Sequence, residues 1–136
     1  MPKVTARRRS GYTHDVEIDS GHALVIDEPE ETGGNDAGPS PTHTVAAALA
    51  ACTAITVEMY AGRKEWDLGD VEAEVEMGYD ERGVPNDFTV ILRVGAELTD
   101  EQLERIRVIA GKCPVHRLLS GESDVSITDR IEPLAA

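Results

Sequence analysis

The sequence predicts an α+β fold in which a β-rich antiparallel sheet wraps around a long central helix. Three observations carry this. An alanine-rich stretch after Pro41 repeats its apolar residues at helical spacing, and segments on both sides of it alternate apolar with polar residues. The chain has 136 residues, one tryptophan, one phenylalanine and three tyrosines. That length suits a single domain over residues 1–136 with one modest core built of Val, Ile, Leu and Ala. A core so light gains burial from a partner, so a two-fold homodimer is expected.

Val4 to Arg9, Thr13 to Asp19 and His22 to Ile26 read as short strands, with Ser20-Gly21 as a hairpin turn between the last two. Asp27 to Pro41 is rich in Gly, Pro and acids and has no apolar period, the composition of a mobile loop. Ser40 is placed to cap a helix whose first position is Pro41, where the missing N–H costs nothing. This helix should run to about Lys64, with Val45, Ala48, Leu49, Cys52, Ile55, Thr56 and Met59 on one mostly apolar face. Val71 to Tyr79 and Phe88 to Ala96 alternate as half-buried strands, joined through Asp80 to Asp87. Thr99 and Gln102 form a capping-box pattern for a second helix that carries Leu103, Ile106, Ala110 and Cys113. Pro114 ends that helix or opens a short third one over Val115 to Leu119, and Val125 to Ile131 reads as a final strand.

A net charge of −13 opposes nucleic-acid binding, which needs clustered Lys and Arg, and Arg7-Arg8-Arg9 is the only basic run. The acidic, lysine-poor surface fits ordinary solubility or a high-salt interior. The N-terminal stretch is polar, without a signal-peptide pattern, and the apolar run Val45 to Met59 is short for a membrane span. A cytoplasmic protein is expected. In that compartment the two cysteines, Cys52 and Cys113, point to redox chemistry, metal binding or plain packing rather than a structural disulfide.

Cys52 lies mid-helix on an apolar face, where a cysteine is either a small core residue or a thiol whose pKa burial raises. Cys113 precedes Pro114 and can stand at the amino end of a short helix, where free N–H groups, His116 and Arg117 would favour a thiolate. The alternative is a cysteine in an inert kink. His43 and His116 could complete a tetrahedral zinc site with the cysteines, but the close ligand spacings of such sites are missing, and no metal is expected. His14 and His22 fall on strands as surface or edge residues.

The stretch GGNDAGPSPTHTVAAALAACTAITVEMYAGRKEW (Gly33 to Trp66), with KCPVHRLLSG (Lys112 to Gly121) and HALVIDEP (His22 to Pro29), resembles the OsmC/Ohr family over nearly the whole chain. The resemblance implies an intertwined homodimer with sites at the subunit interface. It also implies a thiol peroxidase for organic hydroperoxides or hydrogen peroxide, serving oxidative stress defence without cofactor or metal. Cys52 would attack the peroxide, Cys113 would resolve the resulting sulfenic acid as a disulfide, and an external thiol would reset the pair. In active members an arginine from the amino-terminal part and a glutamate near the start of the cysteine helix hold the first thiolate. Arg7, Arg8 and Arg9 are the arginine candidates, whereas Thr42 and His43 stand where the glutamate is expected. Arg8, His43 and His116 are therefore candidate supporting residues. This departure keeps open a second class, a non-catalytic family member that binds a small apolar ligand or metal in the same pocket.

Overall fold

Backbone propensity and capping place eight helices and strands among the described residues, besides one short 3₁₀ turn. A computed structural model describes residues 1–19 and 21–135. They are β1 (Val4–Ser10), β2 (Thr13–Ile18), β3 (His22–Ile26), α1 (Pro41–Lys64), β4 (Val71–Tyr79), β5 (Pro85–Val94), α2 (Asp100–Ala110) and α3 (Pro114–Leu119). The class is α+β, with one three-stranded sheet of order β1-β2-β3 and a two-stranded sheet β4-β5. The chain divides into two compact units: Met1–Ala51 with Glu72–Arg93, and Cys52–Val71 with Val94–Ala136.

In the first unit, β1 and β3 flank β2 in antiparallel register, Ala6 opposite Val16 and Val16 opposite Leu24. Strand alternation puts Val16 inside, while Arg7 and Arg9 turn outward to bridge Glu17 and Asp15 across the ladder. Of the expected Ser20-Gly21 turn, Ser20 lies outside the described residues, and Gly21 has φ +95° and donates its N–H to Ile18.

The segment after β3 is folded around one buried carboxylate. Asp27 is 1% exposed and accepts hydrogen bonds from the Thr13 hydroxyl at 2.6 Å and the backbone N–H of Glu28 and Ala37 at 2.7 and 3.2 Å. A short 3₁₀ turn, Glu30–Thr32, follows, and backbone strands of the loop close on each other. A Cβ at Gly34 would stand 1.9 Å from the Glu28 carbonyl oxygen, and one at Gly38 2.2 Å from that of Val25, so glycine is required at both by space alone. The segment delivers Ser40 to cap α1: its Oγ accepts the His43 N–H, and its carbonyl the Thr44 N–H.

α1 has 24 residues, longer than the apolar run that defined it, and packs against the sheets through its first half in the first unit. Leu49 is buried there, and Thr42 Oγ1 lies 3.0 Å from the Tyr79 hydroxyl of β4. In the second unit Val57 and Ala61 are buried, with Leu68 and Ile106 of α2. Thr99 caps α2 with the expected capping box to Gln102.

Three expectations are corrected. β5 starts at Pro85 rather than Phe88, because the Asp80 carboxylate accepts the Arg82 and Val84 N–H groups and closes the turn early. β5 ends at Val94; Gly95 and Ala96 donate instead to the carbonyls of Asp70 and Leu68. Val125 to Ile131 forms no strand: Ile127 and Ile131 are 80% and 101% exposed. Its alternating pattern supplies strand propensity, but a strand needs a ladder partner, and these residues have none among the described residues.

Hydrogen bonds to the ionised form hold the Asp27 carboxyl below its ordinary range, led by that from Thr13. The folded carboxylate thus binds its proton more weakly than the unfolded one. The stabilisation it contributes is complete above the ordinary carboxylate range and is lost as pH falls through the lowered value. Asp27→Asn should lower the melting temperature at neutral pH and flatten its acid-side decline, as thermal melts across a pH series would record.

Candidate active site

Cys113 occupies the junction of α2 and α3 because Pro114 cannot continue α2 but suits the first position of α3. Its Sγ accepts the His116 N–H at 3.3 Å, so the cysteine is itself the cap of α3. The residue is wholly buried, whereas Cys52, on the second half of α1, is half-buried. Both belong to the second unit, both are free thiols, and Cys52 lies near enough to Cys113 to act on its titration. Residues 61 positions apart in sequence, joined only through family likeness at first, are thus neighbours.

The electrostatic expectation for Cys113 is reversed. Burial pushes its thiol pKa up, the Cys52 contact pushes it further, and the N–H groups of His116 and Val115 only partly oppose this. The expected positive charge does not arrive. Arg117 turns its Nε to Glu122 at 3.2 Å, and His116 acts on the sulfur through its backbone. Cys113 is a protected thiol, and Cys52 is the more accessible of the two.

The His116 ring is half-buried, yet its Nδ1 is fully buried without a hydrogen-bond partner among the described residues. A buried polar atom left without a partner costs about 1–3 kcal/mol, so such atoms are few and call for a reason.

The remaining candidates lie in the first unit. His43 is exposed in the first turn of α1. Arg8 is exposed on β1 opposite His14, on the sheet face that also carries Ala6 and Val16. Its neighbours Arg7 and Arg9 are committed to Glu17 and Asp15. His14 sits within 2.8 Å of the Tyr12 carbonyl through Nδ1, and His22 is exposed. Among the described residues no group of three His, Cys, Asp or Glu side chains is arranged to hold a metal.

Sequence reasoning missed the Thr42–Tyr79 hydroxyl pair and the orphan His116 nitrogen. Neither had a local signal: Thr42 and Tyr79 are far apart in the chain, and an unsatisfied atom is a property of packing alone.

A family model described as OsmC-like protein matches residues 33–128. The chain belongs to the OsmC-like family. Solved OsmC-like and related structures superpose on most of it. An osmotic stress induced and detoxification response protein from Psychrobacter arcticus aligns with TM-score 0.78 at 20% identity, covering 85% of each chain. The OsmC like protein from Mycoplasma pneumoniae gives TM-score 0.72 at 16% identity, covering 89% of this chain and 86% of that one. The organic hydroperoxide resistance protein OhrB of Bacillus subtilis gives 0.62 at 25% identity, over 89% and 91%. No curated protein matches the chain.

For this OsmC-like chain, the burial of Cys113, the raised pKa of its thiol and the greater exposure of Cys52 predict ordered alkylation. Iodoacetamide at neutral pH should modify Cys52 first and leave Cys113 until alkaline pH or unfolding, a sequence readable by peptide mass spectrometry.

Proposed function

We propose that this chain is a thiol peroxidase that reduces organic hydroperoxides or hydrogen peroxide with Cys52 as the peroxidatic and Cys113 as the resolving residue. The observation that carries the reading is the nearness of two free thiols in one unit, one half-buried and one wholly buried. In the first step the Cys52 thiolate attacks the distal peroxide oxygen. An S–O bond forms, the O–O bond breaks, and the leaving alkoxide takes a proton to depart as alcohol. Cys113 then displaces hydroxide from the Cys52 sulfenic acid, an S–S bond forms, and water leaves. An external thiol or dithiol reduces the disulfide and returns both sulfurs to the starting state. A resolving thiol held neutral and buried until its partner is oxidised is protected from peroxide itself. Nothing in this cycle draws on a cofactor or metal.

Cys52→Ser should abolish consumption of cumene hydroperoxide. Cys113→Ser should react once and then stall, its Cys52 trapped as sulfenic acid by dimedone. Wild-type turnover in both variants would refute the mechanism. The Thr42–Tyr79 pair, at the position where active members carry a glutamate, favours a second reading: a non-catalytic family member whose pocket holds a small apolar ligand. That reading gains if both thiols survive peroxide treatment and native mass spectrometry finds a retained ligand.

The working form is inferred to be an intertwined cytoplasmic homodimer. α1 is long and apolar enough by length and composition to cross a membrane, yet only 22% of its apolar window is buried within the chain. Ile55 and Met59 are more than half exposed. A second copy that covers this stripe, and pairs with the Val125 to Ile131 segment, would satisfy both features with the chemistry already on the surface. Ile55→Arg should convert a dimer into monomer in sedimentation velocity; a wild type that sediments as a monomer would exclude the assembly.

A further inference from the structure

We propose that the cavity between the end of α1 and the start of α2 binds a small, flat aromatic acid as its anion. The cavity has a volume of about 700 Å³, within the range of small-molecule sites, and its lining includes Tyr60, Lys64, Trp66, Glu101, Arg105 and Val108. All of these lie in the second unit. Neither thiol lines the cavity, so the proposal goes beyond the peroxidase reading and does not rest on it.

The aromatic wall is set by the way α1 ends. Lys64 is the last residue of the helix, and Glu65 takes a left-handed backbone, φ +58°, in the place where glycine usually closes a helix. The Trp66 N–H reaches back to the Ala61 carbonyl at 2.9 Å, and the Glu65 N–H to that of Gly62 at 3.2 Å. This reversal returns Trp66 to Tyr60, and the two rings meet edge to face with centroids 5.6 Å apart. Arg105 on α2 donates its Nε to the Tyr60 hydroxyl at 3.1 Å, and Lys64 Nζ stands 5.8 Å from the centroid of the same ring. Two cations thus converge on one tyrosine. Both rings are only half-buried, so they still present apolar surface to the cavity, and Val108 adds more.

Charge decides the class of ligand. The chain holds 26 acids against 13 lysines and arginines. Yet among the described residues neither Lys64 nor Arg105 is in an ion pair with any of them. Glu104, which also lines the cavity, is taken by Arg107 at 2.6 Å. Glu101 stands in the first turn of α2, where an acid is matched by the positive end of the helix. Two cations without carboxylates therefore border apolar ring surface. An arene laid against Tyr60 and Trp66, with its carboxylate turned to Lys64 and Arg105, meets both demands, and the planar guanidinium fork suits a carboxylate. A cationic ligand would be repelled by the same two side chains, and a neutral one would leave them unpaired.

Trp66 is the single tryptophan, so its indole N–H gives one resonance in a nitrogen–proton correlation spectrum and reports on the cavity directly. Titration of the whole chain with naphthoate should shift that resonance saturably. Naphthylmethanol, the ring without the charge, and acetate, the charge without the ring, should each bind about tenfold more weakly or worse. Lys64 and Arg105 are exposed, so Lys64→Gln and Arg105→Gln should fold, with far-UV circular dichroism as the check. Each should weaken naphthoate by about tenfold, the scale of one lost charge-assisted hydrogen bond, and leave naphthylmethanol unchanged. Lys64→Gln carries the test alone if the loss of the Tyr60 contact unfolds Arg105→Gln. No saturable shift up to about 10 mM naphthoate, equal affinity for naphthylmethanol, or wild-type affinity in the folded variants would overturn the site. Peroxide consumption plays no part in the readout, so a failure of the peroxidase reading leaves the proposal standing.

Discussion

Cys113 is held by two interactions at once, and the second unit is organised around them. Its sulfur receives the His116 N–H that would otherwise be a free donor at the start of α3, and it interacts with the nearby Cys52 thiol on α1. Pro114 makes the first possible by stopping α2 and opening α3. The mid-helix position of Cys52 makes the second possible, since Thr53 and Val57 beside it are buried and set the face that turns inward. Nothing of residue 113 reaches solvent, so a larger side chain there would have to displace its neighbours.

Two electrostatic effects compete at that sulfur, and burial wins. Donated N–H groups favour thiolate, as they do at helix starts generally, but a short helix offers few of them and the surroundings exclude water. The thiol is thereby kept neutral, while its half-buried neighbour remains approachable. Two cysteines of identical chemistry are given different accessibility by their surroundings.

Local grammar was legible in the sequence wherever neighbours in the chain decide the outcome. Ser40-Pro41 starts α1 and Thr99 with Gln102 starts α2, as capping chemistry requires. The alternating strands also formed, because their period is a property of each strand by itself. Long-range packing was not legible. Asp27 looked like one more loop acid, yet Thr13, fourteen residues earlier, turns it into the anchor of the segment that leads into α1. The charge state of Cys113 was misjudged because sequence displays the dipole and the nearby cations but not the burial or the Glu122 that takes Arg117. Val125 to Ile131 carries a strand pattern, but no strand forms there among the described residues. The pairing of Cys52 with Cys113 was foreseen only through family likeness, since nothing local to either residue points to the other.

The central claim is that these two sulfurs act as one redox unit inside a single chain. Intact-mass spectrometry of the reduced protein after one equivalent of cumene hydroperoxide tests it most directly. The account predicts loss of two hydrogens per chain, no added oxygen, and a single disulfide joining Cys52 to Cys113. An unchanged mass with the peroxide still present, or a stable added oxygen with Cys113 still a free thiol, would contradict it.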